Sequence, residues 1–154
     1  MQEIERKFLV KELPKNLEAY PHSEIEQVYI LLDPEVRARR VDDEYLFTIK
    51  TGSGMTRGED EMTISDMAFD NLKANAIGNI IHKTRYSIKL DCGLVVEVDK
   101  FHGDLAPLCL AEIEFPSEQE ANMFLPLSWF GDDVTYDKSY KNQSLATKGL
   151  KTDG

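Results

Sequence analysis

Apolar and polar positions alternate with a period of two in a series of short runs along the chain. The runs fall at about 3–11, 25–31, 35–41, 44–51, 57–65, 81–90, 94–101 and 109–115, each rich in Val, Ile, Leu, Tyr or Phe. Alternation of this kind marks strands whose two faces meet different surroundings. Turn-forming residues separate them: Asp33-Pro34, Asp42-Asp43, Gly52-Ser53-Gly54, Asp91-Cys92-Gly93 and the 103–107 stretch. Eight such strands with mostly hairpin-length links predict a large antiparallel sheet that curls or closes.

Helical spacing interrupts this pattern. In "DMAFDNLKANA", residues 66–76, Phe69, Leu72 and Ala76 share a face, with Ser65 or Asp66 as cap and Gly78 as stop. Residues 117–125 open on Ser117-x-x-Glu120, a capping box. Short helices near 14–19 and 139–148 complete the expectation of an α+β chain, mainly antiparallel β. Its 154 residues suit one domain spanning 1–154.

Strand parity gives this pattern its chemistry. Residues i and i+2 share a face about 6.6 Å apart. Glu3, Glu5 and Lys7 therefore stand together, as do Arg37 with Arg39, Thr48 with Lys50, and Arg57 with Glu59 and Glu61. Lys83 pairs with Arg85, Glu97 with Asp99, and Glu112 with Glu114. A solvated sheet face mixes signs, whereas here the same sign recurs in doublets. Two carboxylates at that spacing repel by about 2–3 kcal/mol in a partly enclosed place. Such a doublet asks for a counter-charge, and Mg²⁺ or Mn²⁺ suits carboxylates with few histidines. Arginine doublets suit phosphate, so both signs in one site point to a phosphorylated ligand bridged to carboxylates by metal. If these faces turn inward, the apolar faces need cover from helices or a partner subunit, and a homodimer is the corollary. If they turn outward, the barrel fills with apolar side chains.

Composition narrows the classes. With 42% hydrophobic and 30% charged residues the chain is globular, and no apolar run is long enough to span a bilayer. A cytoplasmic location is expected. The net charge of −10 argues against nucleic acid or an anionic membrane as partner. Cys92 and Cys109 make no disulfide framework, and His22, His82 and His102 lack zinc spacing. "TGSGMTRGE" at 51–59 lacks a P-loop ending and reads as a hairpin. Glu24-Ile25-Glu26 has no basic residue at the next same-face position and reads as a solvated strand. Tyr29 reads as core and Lys138 as surface.

Taken in order, these residues resemble the CYTH proteins, or triphosphate tunnel metalloenzymes. The resemblance begins with Glu-x-Glu-x-Lys at Glu3, Glu5 and Lys7. It continues through "VRARR", "FTIK", "TRGEDEM", "HKTRYSI", "VVEVDKFHG", "LAEIEF" and "VTYDKSYKNQSLA". It covers nearly the whole chain and is nearest the compact bacterial branch similar to inorganic triphosphatases. The resemblance implies a closed eight-stranded β-barrel, a tunnel lined by charge, with a few short flanking helices. It implies that Lys7, Arg37, Arg39, Lys50, Lys83, Arg85 and Lys138 grip a triphosphate. It implies Mg²⁺ or Mn²⁺ at Glu3, Glu5, Glu59, Glu61, Glu112 and Glu114, with Glu3, Glu5, Lys7, Glu59 and Glu61 as the catalytic group. Arg57, Glu97 and Asp99 would orient these through hydrogen bonds, and the role of Tyr29 stays open.

The same barrel hosts several activities in that family. With no inserted segment for a nucleoside and no base-stacking aromatic pair, the expected reaction is hydrolysis of tripolyphosphate to pyrophosphate and phosphate. The rivals are a nucleoside or thiamine triphosphatase or an adenylate cyclase on this fold, and a non-catalytic sensor of polyphosphate or nucleotide.

Overall fold

A computed structural model describes residues 2–150. The expected single domain extends at Met1 and at 151–154 outside the described residues. The strands are β1 (Gln2–Val10), β2 (His22–Leu32), β3 (Glu35–Val41), β4 (Glu44–Thr51), β5 (Thr56–Thr63), β6 (Ile77–Lys89), β7 (Val95–Phe101), β8 (Cys109–Glu114) and β9 (Phe130–Asp133). The helices are α1 (Asp66–Ala74), α2 (Glu118–Met123) and α3 (Asn142–Lys148).

All pairings are antiparallel, in the order β5-β4-β3-β2-β6-β7-β8-β1-β9. The sheet closes because β1 also pairs with β5, through Gln2↔Gly58, Glu3↔Arg57 and Ile4↔Thr56. On its edge opposite β8, β1 thus gives its first residues to β5 and its last to β9, at Phe8 and Val10. The result is the expected closed eight-stranded barrel with one added strand. No helix among the described residues is long and apolar enough to cross a membrane.

Closure sorts the two faces of every strand. Phe8, Val96, Val98, Ala111 and Ile113 point outward beneath α2 and the 124–130 segment, in a core shared with Phe115, Ala121 and Phe130. Val28 and Ala38 point outward beneath Phe69 of α1. Two helices therefore cover two apolar patches, and the charged faces turn inward. A third apolar cluster forms where Tyr29, Ile81, Phe101 and Leu110 meet Leu145 and Ala146 of α3.

Differences from the sequence expectation are local. Helix α1 ends at Ala74 with Asn75 as its cap, so Gly78 is not its stop. Gly78 lies in β6, which starts four residues before the expected 81, with φ of +73°. A Cβ there would come within 2.5 Å of the Ala146 carbonyl oxygen, so glycine lets α3 press onto the strand. The expected helix near 14–19 is one tight turn, Leu17–Ala19, and that near 139–148 divides into the turn Lys138–Tyr140 and α3. Strand β9, "FGDD", was not expected, because four residues with no alternation carry no strand pattern.

Candidate active site

The barrel interior holds a cavity of about 200 Å³. Its cationic lining is Lys7, Arg37, Arg39, Lys50, Arg57, Lys83, Arg85 and Lys141, and its anionic lining is Glu3, Glu5, Glu35, Glu59, Glu61, Glu97, Glu112 and Glu114. Eight against eight is formally neutral in a chain of net −10, so acidity lies elsewhere on the surface. Only Tyr29 and Asn142 are uncharged. An apolar or aromatic ligand finds no partner here, and a small, densely charged one does.

The signs are segregated along the walls. On β1 and β5 the glutamates converge, with Glu3 and Glu59 meeting the ammonium of Lys50 from β4. Lys50 Nζ lies 2.7 Å from Glu3 and 3.4 Å from Glu59. Burial, and then the Glu59 carboxylate beside it, push the Glu3 carboxyl up, while the interaction with Glu3 is the largest influence pulling Glu59 down. Glu5 is pushed up to about 7 by burial and then by Glu112, with Lys50 opposing and Glu3 adding. Glu114 is pushed up by burial, Glu3 and Glu97. Burial is thus the leading influence that raises the Glu3, Glu5 and Glu114 carboxyls at this end.

The opposite wall, with Arg37 and Arg39 on β3 and Lys83 and Arg85 on β6, is cationic. Arg39 meets Glu61 at 3.2 Å, and Thr48 donates to the same carboxylate at 3.0 Å. Burial brings Arg39 down to about 10, with Arg37 and Arg85 adding to the effect. Asp99 has no exposed surface and does not line the cavity. It takes Arg85 through both oxygens, at 2.7 and 2.8 Å, and Lys83 at 2.8 Å. Burial brings Lys83 down to about 8, with Asp99 opposing and Arg85 adding. Lys83 also donates to Asn142 Oδ1 at 2.9 Å, and Lys7 donates to the Tyr140 carbonyl at 3.3 Å. The C-terminal segment thus holds two cavity lysines through neutral acceptors.

Most sequence-expected site residues meet in this one cavity. Four residues, Lys138, Arg57, Glu97 and Glu112, stand differently from the expectation, and a fifth, Tyr29, gains a position. Lys138 lies on an exposed turn outside the cavity, whose C-terminal lysine is Lys141. Arg57 and Glu97 line the cavity directly and do not stand behind it. Glu112 sits between Lys7 (3.5 Å) and Arg85 (3.7 Å); burial opposes its charge, yet these cations bring it down to about 2. Tyr29 is buried and lines the cavity, accepting a hydrogen bond from Gln27 at 2.5 Å.

Glu35 was missed. It lies 3.7 Å from Arg37 and 3.6 Å from Arg57, and the parity of Arg37 and Arg39 extended back by two residues would have found it. Glu24 and Glu26 lie on the outer face, holding Thr84 and Lys73, as the absent third basic residue implied.

The donors suit a hard divalent cation in kind: carboxylate oxygen only, with Glu59 Oε2 buried and without a hydrogen-bond partner. Among the described residues, no three Asp, Glu, His or Cys side chains are gathered as ligands of one ion. The reason is visible in the ion pairs, since Lys50 and Arg39 hold carboxylates that a cation would need to recruit.

Comparison with known proteins gives a consistent set. The CYTH domain matches residues 1–127. Over 150 residues, 95% of this chain and 97% of the relative, the sequence is 44% identical to a Nitrosomonas europaea protein named inorganic triphosphatase. An Acetivibrio thermocellus protein of the same name is 35% identical over 159 residues, covering 97% and 96% of the two chains. The crystal structure of the inorganic triphosphatase NE1496 matches with a TM-score of 0.70 at 41% identity, covering 99% of this chain and 97% of that one.

Proposed function

The chain belongs to the CYTH domain family, and on that premise we propose that it hydrolyses inorganic tripolyphosphate to pyrophosphate and phosphate, using Mg²⁺ or Mn²⁺, in the cytoplasm. One observation carries the substrate: a cavity of about 200 Å³ whose lining is charged except for one tyrosine and one asparagine. A nucleoside or thiamine would bring a ring for which this lining offers no apolar or aromatic surface beyond the buried Tyr29. The two similar proteins named inorganic triphosphatase support the same reading. The proposed unit is one tunnel domain over 1–154.

In this reading Arg37, Arg39, Arg57, Lys7, Lys83, Arg85 and Lys141 bind the phosphate oxygens, the arginines through paired N–H groups. Glu3, Glu5, Glu59, Glu61 and Glu114 are the metal-holding set. A divalent ion bound there supplies positive charge against the charge that builds on the phosphate oxygens. Glu112 is assigned to orienting Lys7 and Arg85, because both cations already flank it. Asp99 fixes Lys83 and Arg85 from behind, so the basic wall is in position before substrate arrives. Lys50 holds Glu3 and Glu59, and it would be free to turn to phosphate were those carboxylates to hold a cation. Binding of metal and of substrate would then favour each other through Lys50.

A substrate panel of tripolyphosphate, ATP and thiamine triphosphate, with each metal and with chelator, tests this directly. Phosphate release should be fastest from tripolyphosphate and absent with chelator. Phosphate release from tripolyphosphate equal to a blank in both metals would sink the proposal. Cyclic AMP from ATP would redirect it.

A further inference from the structure

The turns after β2 and β4 and the segment 138–148 enclose a second cavity, of about 490 Å³. It shares Glu35, Lys50, Arg57 and Lys141 with the tunnel and adds Lys138 and Lys148. Its charges are unbalanced. Glu35 is engaged by Arg37 and Arg57, and Lys50 by Glu3 and Glu59. That leaves Lys138, Lys141 and Lys148, none with an ion-pair partner among the described residues, facing one further carboxylate, Asp33.

Three ammonium groups gathered in a chain of net −10 run against its overall composition. Like charges brought together in a recess are unfavourable without a counter-ion, and the recess focuses their field. Ser53 and Ser144 add hydroxyl donors to the same wall. The chemistry that answers compact ammonium groups and hydroxyls is a phosphate group. The open end of the tunnel differs, since Glu61 and Glu97 stand there with side chains 34% and 39% exposed.

We infer that this cavity is a second phosphate site, an extension of the tunnel that takes phosphate groups the tunnel does not itself hold. This rests on the triphosphatase reading for the identity of the ligand in the tunnel. Two sources share the chemistry: the overhanging phosphates of a chain longer than three, or a separate pyrophosphate.

The test uses Lys148→Glu in the whole chain, because Lys148 is exposed on the last turn of α3 and outside the tunnel lining. Lys148→Gln serves as the milder variant should reversal disturb folding, checked by thermal unfolding. Tripolyphosphate turnover should stay within about twofold of wild type, as for a surface substitution. Calorimetry in chelator then compares tripolyphosphate, tetrapolyphosphate and pyrophosphate at low salt. Tetrapolyphosphate binding weakened by about fivefold, the scale of one exposed ion pair, with pyrophosphate unchanged identifies the overhanging chain. Weakened pyrophosphate binding identifies the separate ion. Affinities unchanged for both ligands in both variants overturn the inference. Should wild type fail to hydrolyse tripolyphosphate, the reaction is lost while the calorimetric comparison still decides the site.

Discussion

The Lys83 ammonium lies 2.8 Å from Asp99, a carboxylate with no exposed surface that also takes Arg85 through both its oxygens. One acid therefore anchors two cations of the tunnel's basic wall. Burying Asp99 is unfavourable by itself, and the arginine and lysine outweigh that cost to hold it well below the usual carboxylate range.

Asp99→Asn keeps the shape and removes the charge. Lys83 and Arg85 are then buried facing no ionised partner behind them, a situation that typically costs about 3–5 kcal/mol. Urea unfolding should show a loss on that scale. A loss below about 1 kcal/mol would mean that Glu112 and Glu97 take over the pairing.

Glu5 sets a pH dependence. Its carboxyl is raised from an ordinary 4.5 to about 7, so between those values the folded chain binds more protons than the unfolded one. Stability from this group is complete below pH 4.5 and is lost as pH rises through 7. The contribution is on the order of 3 kcal/mol. Chemical unfolding in chelator should show stability falling across this window, with a flatter profile for Glu5→Gln. The same variant should abolish metal-dependent turnover, because an amide cannot supply the charge.

Lys50 is predicted to oppose metal and assist substrate. In Lys50→Met, Glu3 and Glu59 lose the ammonium at 2.7 and 3.4 Å. Mn²⁺ binding should tighten and tripolyphosphate binding should weaken, each by about tenfold, on the scale of a buried charge-assisted contact. Titration calorimetry with each ligand separately checks the two signs. Both affinities falling together would remove the exchange of partners from the mechanism.

Gly78→Ala tests the seat of α3. The added methyl needs space that the Ala146 carbonyl occupies at 2.5 Å, in a backbone conformation at φ +73° that alanine resists. A stability loss of about 1–3 kcal/mol is expected, with faster amide exchange in α3. Wild-type exchange rates would show that the helix does not depend on this contact.

Much of the tunnel wall could be read from local pattern. Parity alone gathers Glu3, Glu5 and Lys7, or Arg37 and Arg39, because a strand fixes which residues share a face. The repeated same-sign doublets indicated an enclosed site better than any one motif did. Glu35 obeys the same parity but was passed over, since a single acid beside a turn forms no doublet. Strand β9 was missed because its pairing with Phe8 and Val10 depends on a partner more than a hundred residues away in sequence.

Sequence by itself thus determined the eight barrel strands, the chemistry of their two faces and the family resemblance, all of which follow from spacing along one chain. Which face turned inward was a tertiary decision: α1, α2 and the 124–130 segment cover the apolar side, leaving the charged side to the interior. Ion pairing was decided there too. Lys50 reaches Glu3 across 47 residues of sequence, and Asp99 retreats behind Lys83 and Arg85 while its same-face neighbour Glu97 lines the cavity. Lys141 reaches both the tunnel and the second cavity, and Lys138 the second alone, with a tight turn where the sequence pattern suggested helix. Distances between strands, set by closure of the barrel, separate these roles, and no period in the sequence records them.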